Sequence, residues 1–116
     1  MFTLNEEDKT DLEVYQDFVN ECPQPKGEST INKTFMKGYW AATQMISEGA
    51  EVLELFEKSY RKGVALDVER LKDELGDVIW GVACLANTYD VSLDEIIEMN
   101  ISKLVNRHYG EVAKKD

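Results

Sequence analysis

The sequence predicts an all-α protein, and three features indicate this class. Apolar residues recur at helical spacing through most of the 116 residues, and the two-residue alternation of a half-buried strand is absent. Both prolines lie in one short segment, residues 22–29, so none interrupts the patterns that follow. Helix-capping residues stand where these patterns begin or end. We therefore expect four helices.

The first two helices flank the proline-containing segment. Four residues share one helical face before it: Leu12, Tyr15, Phe18 and Val19. They predict a first helix from about residue 7 to residue 20, followed by a loop over about residues 22–33. A long second helix then runs over about residues 32–61. Gly63 is placed to end it, because glycine tolerates the left-handed backbone conformation.

The third and fourth helices each begin at a capping residue. Asp67 is a good N-cap for a third helix that continues to about residue 89. The segment Ser92-Leu-Asp-Glu95 has the pattern of a capping box, and Val91 and Ile96 can form the accompanying hydrophobic staple.

The third helix is apolar on nearly all sides between residues 78 and 86. This pattern is typical of a helix that is buried on most sides. We interpret Cys84, within this run, as a small core residue. One small domain can scarcely surround such a helix, so we expect a partner subunit to cover part of it.

Length and composition limit the possible functions. The chain fits a single domain over residues 1–116, with flexible ends at about residues 1–6 and 111–116. Its net charge of −10 predicts no nucleic-acid partner and no membrane association. No apolar run approaches the roughly 20 residues that span a bilayer, and the N-terminus does not resemble a signal peptide. The two cysteines fit neither a disulfide framework nor a zinc site, so we expect a cytoplasmic protein.

Two acidic pairs interrupt apolar helical faces. They are Glu48 and Glu51 in the second helix, and Glu74 and Asp77 in the third. With 23 acidic residues, such pairs also arise by chance, as Glu54 and Glu57 do. At about 100° per residue, Glu54 and Glu57 point to the polar side, whereas the other four carboxylates lie within or beside the apolar stripes. Burying carboxylates without partners costs several kcal/mol, so these four require a cation.

Basic side chains or metal ions can supply that positive charge. Asn100, Lys103 and Arg107 share one face of the fourth helix, but two cations are too few for four acids. Mg²⁺, or Mn²⁺ in its place, balances the charge best with oxygen ligands. Zinc is disfavoured because His108 is the only histidine, and a di-iron site is disfavoured because it needs Glu-x-x-His on two helices. The alternative is a non-catalytic helical interaction module whose acids are salt-bridged or bind a structural ion.

Four segments, in this order, resemble one known family. They are Tyr15-Gln16, Glu48-Gly-Ala-Glu51-Val-Leu-Glu54-Leu, Glu74-Leu-Gly-Asp77-Val-Ile-Trp80 and Asn100-Ile-Ser-Lys103-Leu-Val-Asn-Arg107. Over roughly residues 11–110 the chain resembles the MazG-like all-α nucleoside triphosphate pyrophosphohydrolases. It departs from them at Thr43-Gln-Met-Ile-Ser47, where family members commonly carry a glycine-rich lead-in, so the preferred base stays open.

The resemblance implies a four-helix bundle that packs as a homodimer or as a dimer of dimers. It implies Mg²⁺-dependent hydrolysis of a (d)NTP to (d)NMP and pyrophosphate, by attack of water at the α-phosphorus. Glu48, Glu51, Glu74 and Asp77 would hold the metal, and Glu48 or Glu51 would accept the proton of the water. A dUTPase-like or phosphoribosyl-ATP pyrophosphatase-like activity on the same fold is the alternative.

Cationic and aromatic side chains are the candidates for substrate binding. Lys103 and Arg107 could stabilise the charge of the pyrophosphate, and Asn100 could donate a hydrogen bond to phosphate or ribose. Lys58 is either a further phosphate ligand or a solvated surface lysine. The aromatic candidates for a base platform, or alternatively for core and dimer packing, are Trp80, Trp40, Tyr39 and Phe35.

Overall fold

Four α-helices form the fold: α1 (Asp11–Glu21), α2 (Lys33–Lys62), α3 (Val68–Thr88) and α4 (Leu93–Lys115). This computed structural model describes residues 8–24 and 32–115, without the side chains of residues 109–115. No strand occurs in these ranges, so the predicted all-α class is confirmed. The predicted end at residues 1–6 and the loop positions 25–31 lie outside the described residues. The single-domain organisation stays a prediction.

Local sequence explains where the first three helices begin and end. Asn32 and Asp67 cap α2 and α3 through side-chain oxygens that accept from backbone N–H groups three residues on. Gly63 ends α2 in the left-handed conformation, at φ 64°, as its position predicts. The start of α1 differs from its prediction near residue 7, because Thr10 is the N-cap and accepts from the Glu13 N–H at 3.1 Å.

The first turn of α4 does not have the hydrogen bonds of a capping box. The Ser92 hydroxyl accepts from the Asp94 N–H at 3.1 Å rather than from the Glu95 N–H. The Leu93 N–H donates instead to the Gln16 side chain, at 2.7 Å. A residue distant in sequence thus satisfies one of the open N–H groups of this helix end.

A buried polar junction around Gln16 joins α1 to the corner between α3 and α4. The Gln16 amide donates to the Asn87 side chain at 2.8 Å and to the Val91 carbonyl at 2.9 Å. The Asn87 amide donates in return to the Gln16 carbonyl at 2.7 Å. The Gln16 side-chain oxygen accepts from the Leu93 N–H. Gln16 is only 8 % exposed, and its side-chain amide is therefore well satisfied with hydrogen bonds.

Small residues allow α2 and α3 to pack closely as an antiparallel hairpin across the short connection at residues 63–67. Ala41, Ala83 and Cys84 are completely or almost completely buried in the core, which confirms the prediction for Cys84. A Cβ atom on Gly81 would lie only 3.1 Å from the Met45 Cα. A larger residue at this point would therefore have to push the two helix backbones apart by a few tenths of an ångström.

Much apolar surface is uncovered in the described chain. Six large apolar residues of α4 are exposed: Ile96, Ile97, Met99, Ile101, Leu104 and Val105. The helix packs mainly against α1. The radius of gyration is 18.1 Å, compared with about 13 Å for a compact domain of about 100 residues. None of the described helices is long and apolar enough to cross a bilayer.

Two glycines of α3 provide a matched test of this packing. Nothing lies within 4 Å of a Cβ on Gly76, so Gly76→Ala should raise the free energy of unfolding by about 0.5–1 kcal/mol through helix propensity. Gly81→Ala should lower it, because its methyl group meets the Met45 backbone. Chemical denaturation measures both values. Equal stabilisation by the two substitutions would contradict the close approach.

Candidate metal centre and active site

Three carboxylates from two helices meet on facing sides of the α2–α3 hairpin. Glu48, Glu74 and Asp77 each present one oxygen, and these oxygens lie within 4.8 Å of one another. Their exposure is uneven: Glu74 is 6 % exposed, Glu48 is half-buried and Asp77 is exposed. We call these three residues the carboxylate cluster.

Glu51 lies beside the carboxylate cluster and is itself exposed. Its carboxyl group is the main cause that raises the pKa of Glu74, and it is the second cause, after burial, that raises the pKa of Glu48. The structure thus brings all four sequence-predicted acids to one place, although two of them, Glu51 and Asp77, reach the surface rather than the interior. This is consistent with a site that opens to solvent at its rim.

Nearby protein cations do not balance this negative charge. The hydrogen bond with Glu51, and then burial, raise the pKa of Glu74 to about 7. The pKa of Glu48 is also raised, first by burial and then by Glu51. Arg70 lowers the pKa of Glu74. Its effect is small, because its Nε lies 3.8 Å from the Glu74 Oε1 and its side chain is largely exposed.

Two buried carboxylate oxygens have no hydrogen-bond partner within the described part of the chain: Oε2 of Glu48 and Oε2 of Glu74. Buried polar atoms in native proteins are nearly always satisfied, so these two indicate that a ligand is needed here. All donor atoms at this point are carboxylate oxygens, which suit hard cations such as Mg²⁺ and Mn²⁺. The residues therefore fit the predicted metal.

A cavity of about 380 Å³ adjoins the cluster on the side of the 63–67 connection. Four acids line it, namely Glu51, Glu54, Asp67 and Glu74, together with two cations, Lys58 and Arg70. We call it the cationic cavity after these two cations, although its acids outnumber them. The sequence predicted Lys58 at such a site but missed Arg70. Its position four residues before Glu74, on the same helical face, was the available signal.

A second cavity, of about 320 Å³, adjoins the cluster on the opposite side, toward the open end of the hairpin. Glu48 and Asp77 form its inner wall, and Trp40, Gln44 and Trp80 complete the lining. We call it the aromatic cavity. The two indole rings pack edge to face, with centroids 6.1 Å apart and an angle of 86°. Gln44 was not among the predicted site residues, although it lies one turn before Glu48.

Other predicted substrate residues lie away from the cluster in this chain. Asn100, Lys103 and Arg107 are exposed on α4 and line neither the cationic nor the aromatic cavity. Phe35 and Tyr39 are exposed, and their ring centroids lie 6.4 Å apart. Neither ring lines either cavity. In the described chain, α4 therefore adds none of its predicted residues to either cavity.

Comparison with known proteins now assigns this arrangement to a family. Residues 41–110 match the model of the MazG nucleotide pyrophosphohydrolase domain. The chain belongs to this family. The matched segment contains all four acids and most of α4. The all-helical fold agrees with the architecture that the sequence predicts.

Two relatives are similar in sequence over a large part of the chain. Gene 37 protein of Mycobacterium phage L5 is 39% identical over 67 residues, which are 54% of this chain and 59% of the phage protein. The uncharacterized protein YpjD of Bacillus subtilis (strain 168) is 30% identical over 89 residues, 71% of this chain and 80% of YpjD. No solved structure matches the chain significantly.

The raised pKa of Glu74 predicts how stability depends on pH without metal. The folded protein holds this proton more tightly than the unfolded chain, so its stabilising effect is complete below pH 4.5 and is lost as pH rises through about 7. In EDTA, the melting temperature should fall over this range, and Mg²⁺ or Mn²⁺ should raise it again above pH 7.

Glu74→Gln should flatten this decline, whereas Glu57→Gln removes an exposed charge on α2 and should leave it in place. Circular dichroism melts across the pH range measure both variants. A melting temperature that responds neither to pH in EDTA nor to added metal would contradict the metal site.

Proposed function

We propose that this protein is a Mg²⁺-dependent nucleoside triphosphate pyrophosphohydrolase, which converts a (d)NTP to (d)NMP and pyrophosphate. The single observation that carries the proposal is the carboxylate cluster with its two unpaired buried oxygens. Membership of the MazG family supports nucleotide hydrolysis as the class of reaction.

Glu48, Glu74 and Asp77 would hold the metal, together with Glu51 at the rim. When bound, Mg²⁺, or Mn²⁺ in its place, neutralises triphosphate charge and lowers the pKa of a coordinated water. The carboxylates themselves keep the site anionic, so that a triphosphate is attracted only after a cation is present. This order of events makes the bound metal part of substrate recognition.

The reaction is a displacement at the α-phosphorus. The oxygen of water forms a bond to this phosphorus, while the bond between it and the bridging oxygen of the β-phosphate breaks. Pyrophosphate leaves with the bonding electrons, and Glu48 or Glu51 accepts the proton of the water. Glu51 is exposed, so it can pass that proton to solvent more readily than the half-buried Glu48.

The cationic cavity would bind the leaving pyrophosphate. Lys58 and Arg70 lie on its wall, next to Glu51 and Glu74. Positive charge placed where negative charge develops lowers the barrier more than it stabilises the substrate. We assign both residues to the β- and γ-phosphates.

A second copy of the chain would complete the site, as a homodimer or a homotetramer. Asn100, Lys103 and Arg107 border the same face of α4 as the exposed Ile96 and Leu104. A partner that covers this apolar face would therefore also cover the three polar residues. Because a symmetric dimer exchanges its contacts reciprocally, α4 of each copy would supply cations to the cluster of the other.

Removal of one buried carboxylate should abolish turnover without loss of the fold. Glu74→Gln and Glu48→Gln each remove a metal ligand, so we expect a loss of at least about 100-fold in kcat. Chromatography of products from a panel of (d)NTPs with Mg²⁺ gives the measurement, and Glu57→Gln is the exposed control. Formation of diphosphate and phosphate would contradict attack at the α-phosphorus. A selective response to dUTP or to phosphoribosyl-ATP would identify the alternative activities.

Mixing two inactive variants tests the second copy. Glu74→Gln destroys the cluster, and the double variant Lys103→Ala/Arg107→Ala removes the cations of α4. If α4 acts on the other copy, a mixed dimer has one intact site. Free exchange at equal concentrations should then restore about a quarter of wild-type activity, because half of the dimers are mixed and each has one of two sites. Mixtures as inactive as their parents would contradict completion by the partner.

A further inference from the structure

We propose that the aromatic cavity binds the nucleobase of the substrate and that Gln44 makes the hydrogen bonds to it. This inference rests on the proposed function and adds an orientation of the substrate and a specificity-determining residue. It depends on the two cavities at opposite ends of the carboxylate cluster.

The positions of the cavities give the substrate a direction. Acids line both cavities, but the two cations, Lys58 and Arg70, line the cationic cavity alone. In the aromatic cavity the residues beyond the cluster are uncharged: Trp40, Gln44 and Trp80. Phosphates therefore favour the first cavity and an uncharged aromatic group favours the second. With the base in the aromatic cavity, the phosphate nearest the cluster is the α-phosphate. This placement explains why the cut would fall there rather than at the γ-phosphate.

The indole rings leave space for a base beside them but not between them. Trp40 and Trp80 already pack edge to face, so a base would stack on an outer ring surface. Both residues are half-buried and also pack against the hydrophobic core, which fixes their orientation. The volume of about 320 Å³ lies within the usual range for small-ligand sites.

Gln44 is the side chain of this cavity that offers both a hydrogen-bond donor and an acceptor. Its amide forms no hydrogen bond within the described ranges, whereas the amide of Gln16 is satisfied by three partners. A glutamine amide offers a donor beside an acceptor, and the edges of nucleobases present the same pair in complement. A neutral amide also reads a base without attracting phosphate into this cavity.

The two tryptophans of the chain make this cavity observable by intrinsic fluorescence. Both line the aromatic cavity, so stacking of a base should quench the emission. Titration of the wild-type protein with nucleoside monophosphates in Mg²⁺ should give saturable quenching, and pyrophosphate should not. Equal quenching by pyrophosphate would overturn the assignment.

Gln44→Leu keeps the bulk of the side chain and removes its hydrogen-bonding atoms. It should raise KM for the nucleoside triphosphate and the Kd for the monophosphate by about three- to tenfold, the effect of one hydrogen bond, with a smaller change in kcat. The matched control is Gln24→Leu, since Gln24 binds the Val19 carbonyl at the end of α1 and lies in neither cavity. A circular dichroism spectrum checks that both variants fold.

The outcomes separate this inference from the proposed reaction. Quenching by nucleotides without any turnover would leave the base site standing and reject the hydrolase. Normal turnover with unchanged KM in Gln44→Leu would reject Gln44 as the base-reading residue and leave the hydrolase standing. Replacement of Trp80 by Phe, which retains an aromatic ring in the core, should preserve nucleotide binding with part of the fluorescence signal lost.

Discussion

The close approach of α2 and α3 at Gly81 and Met45 is the constraint on which the site depends. Gly81 lies one turn after Asp77, and Met45 lies just under one turn before Glu48. With the backbones in near contact there, carboxylates from both helices fall within 4.8 Å of one another. Wider packing would let these like charges separate. Small side chains in the core thus set the distance between the acids, and burial of the apolar residues around them offsets the repulsion.

This arrangement links the stability of the fold to the occupancy of the site. The hydrogen bond with Glu51, and then burial, raise the pKa of Glu74 to about 7, so without a cation this carboxyl group holds a proton below that pH. A bound metal ion would replace that proton and would also satisfy the unpaired oxygens of Glu48 and Glu74. Arg70 does not perform this role, since it is exposed and stands 3.8 Å from its partner. Raised pKa values at neighbouring carboxyl groups, as at Glu48 and Glu74, are typical of functional sites.

The sequence predicts the helices and the acids well because both depend on local rules. Gly63 and Asp67 mark helix ends by their own backbone preferences, and the helical wheel separates Glu48 and Glu74 from Glu57. Residues whose role depends on a distant partner were missed or misread. Ser92 satisfies the capping-box pattern, yet Gln16, far away in sequence, satisfies the start of α4. Gln44 and Arg70 acquire significance only when the cavities on either side of the cluster are known.

The sequence also does not show how the chain assembles. The spacing of Lys103 and Arg107 places them on one face of α4, but it does not show which chain that face contacts. In the described chain, α4 packs mainly on α1 and exposes that face. If a second copy covers it, acids fixed by one chain would meet cations carried by the other. A single chain would then bind the metal but hold the leaving pyrophosphate with Lys58 and Arg70 alone, so full activity would depend on assembly.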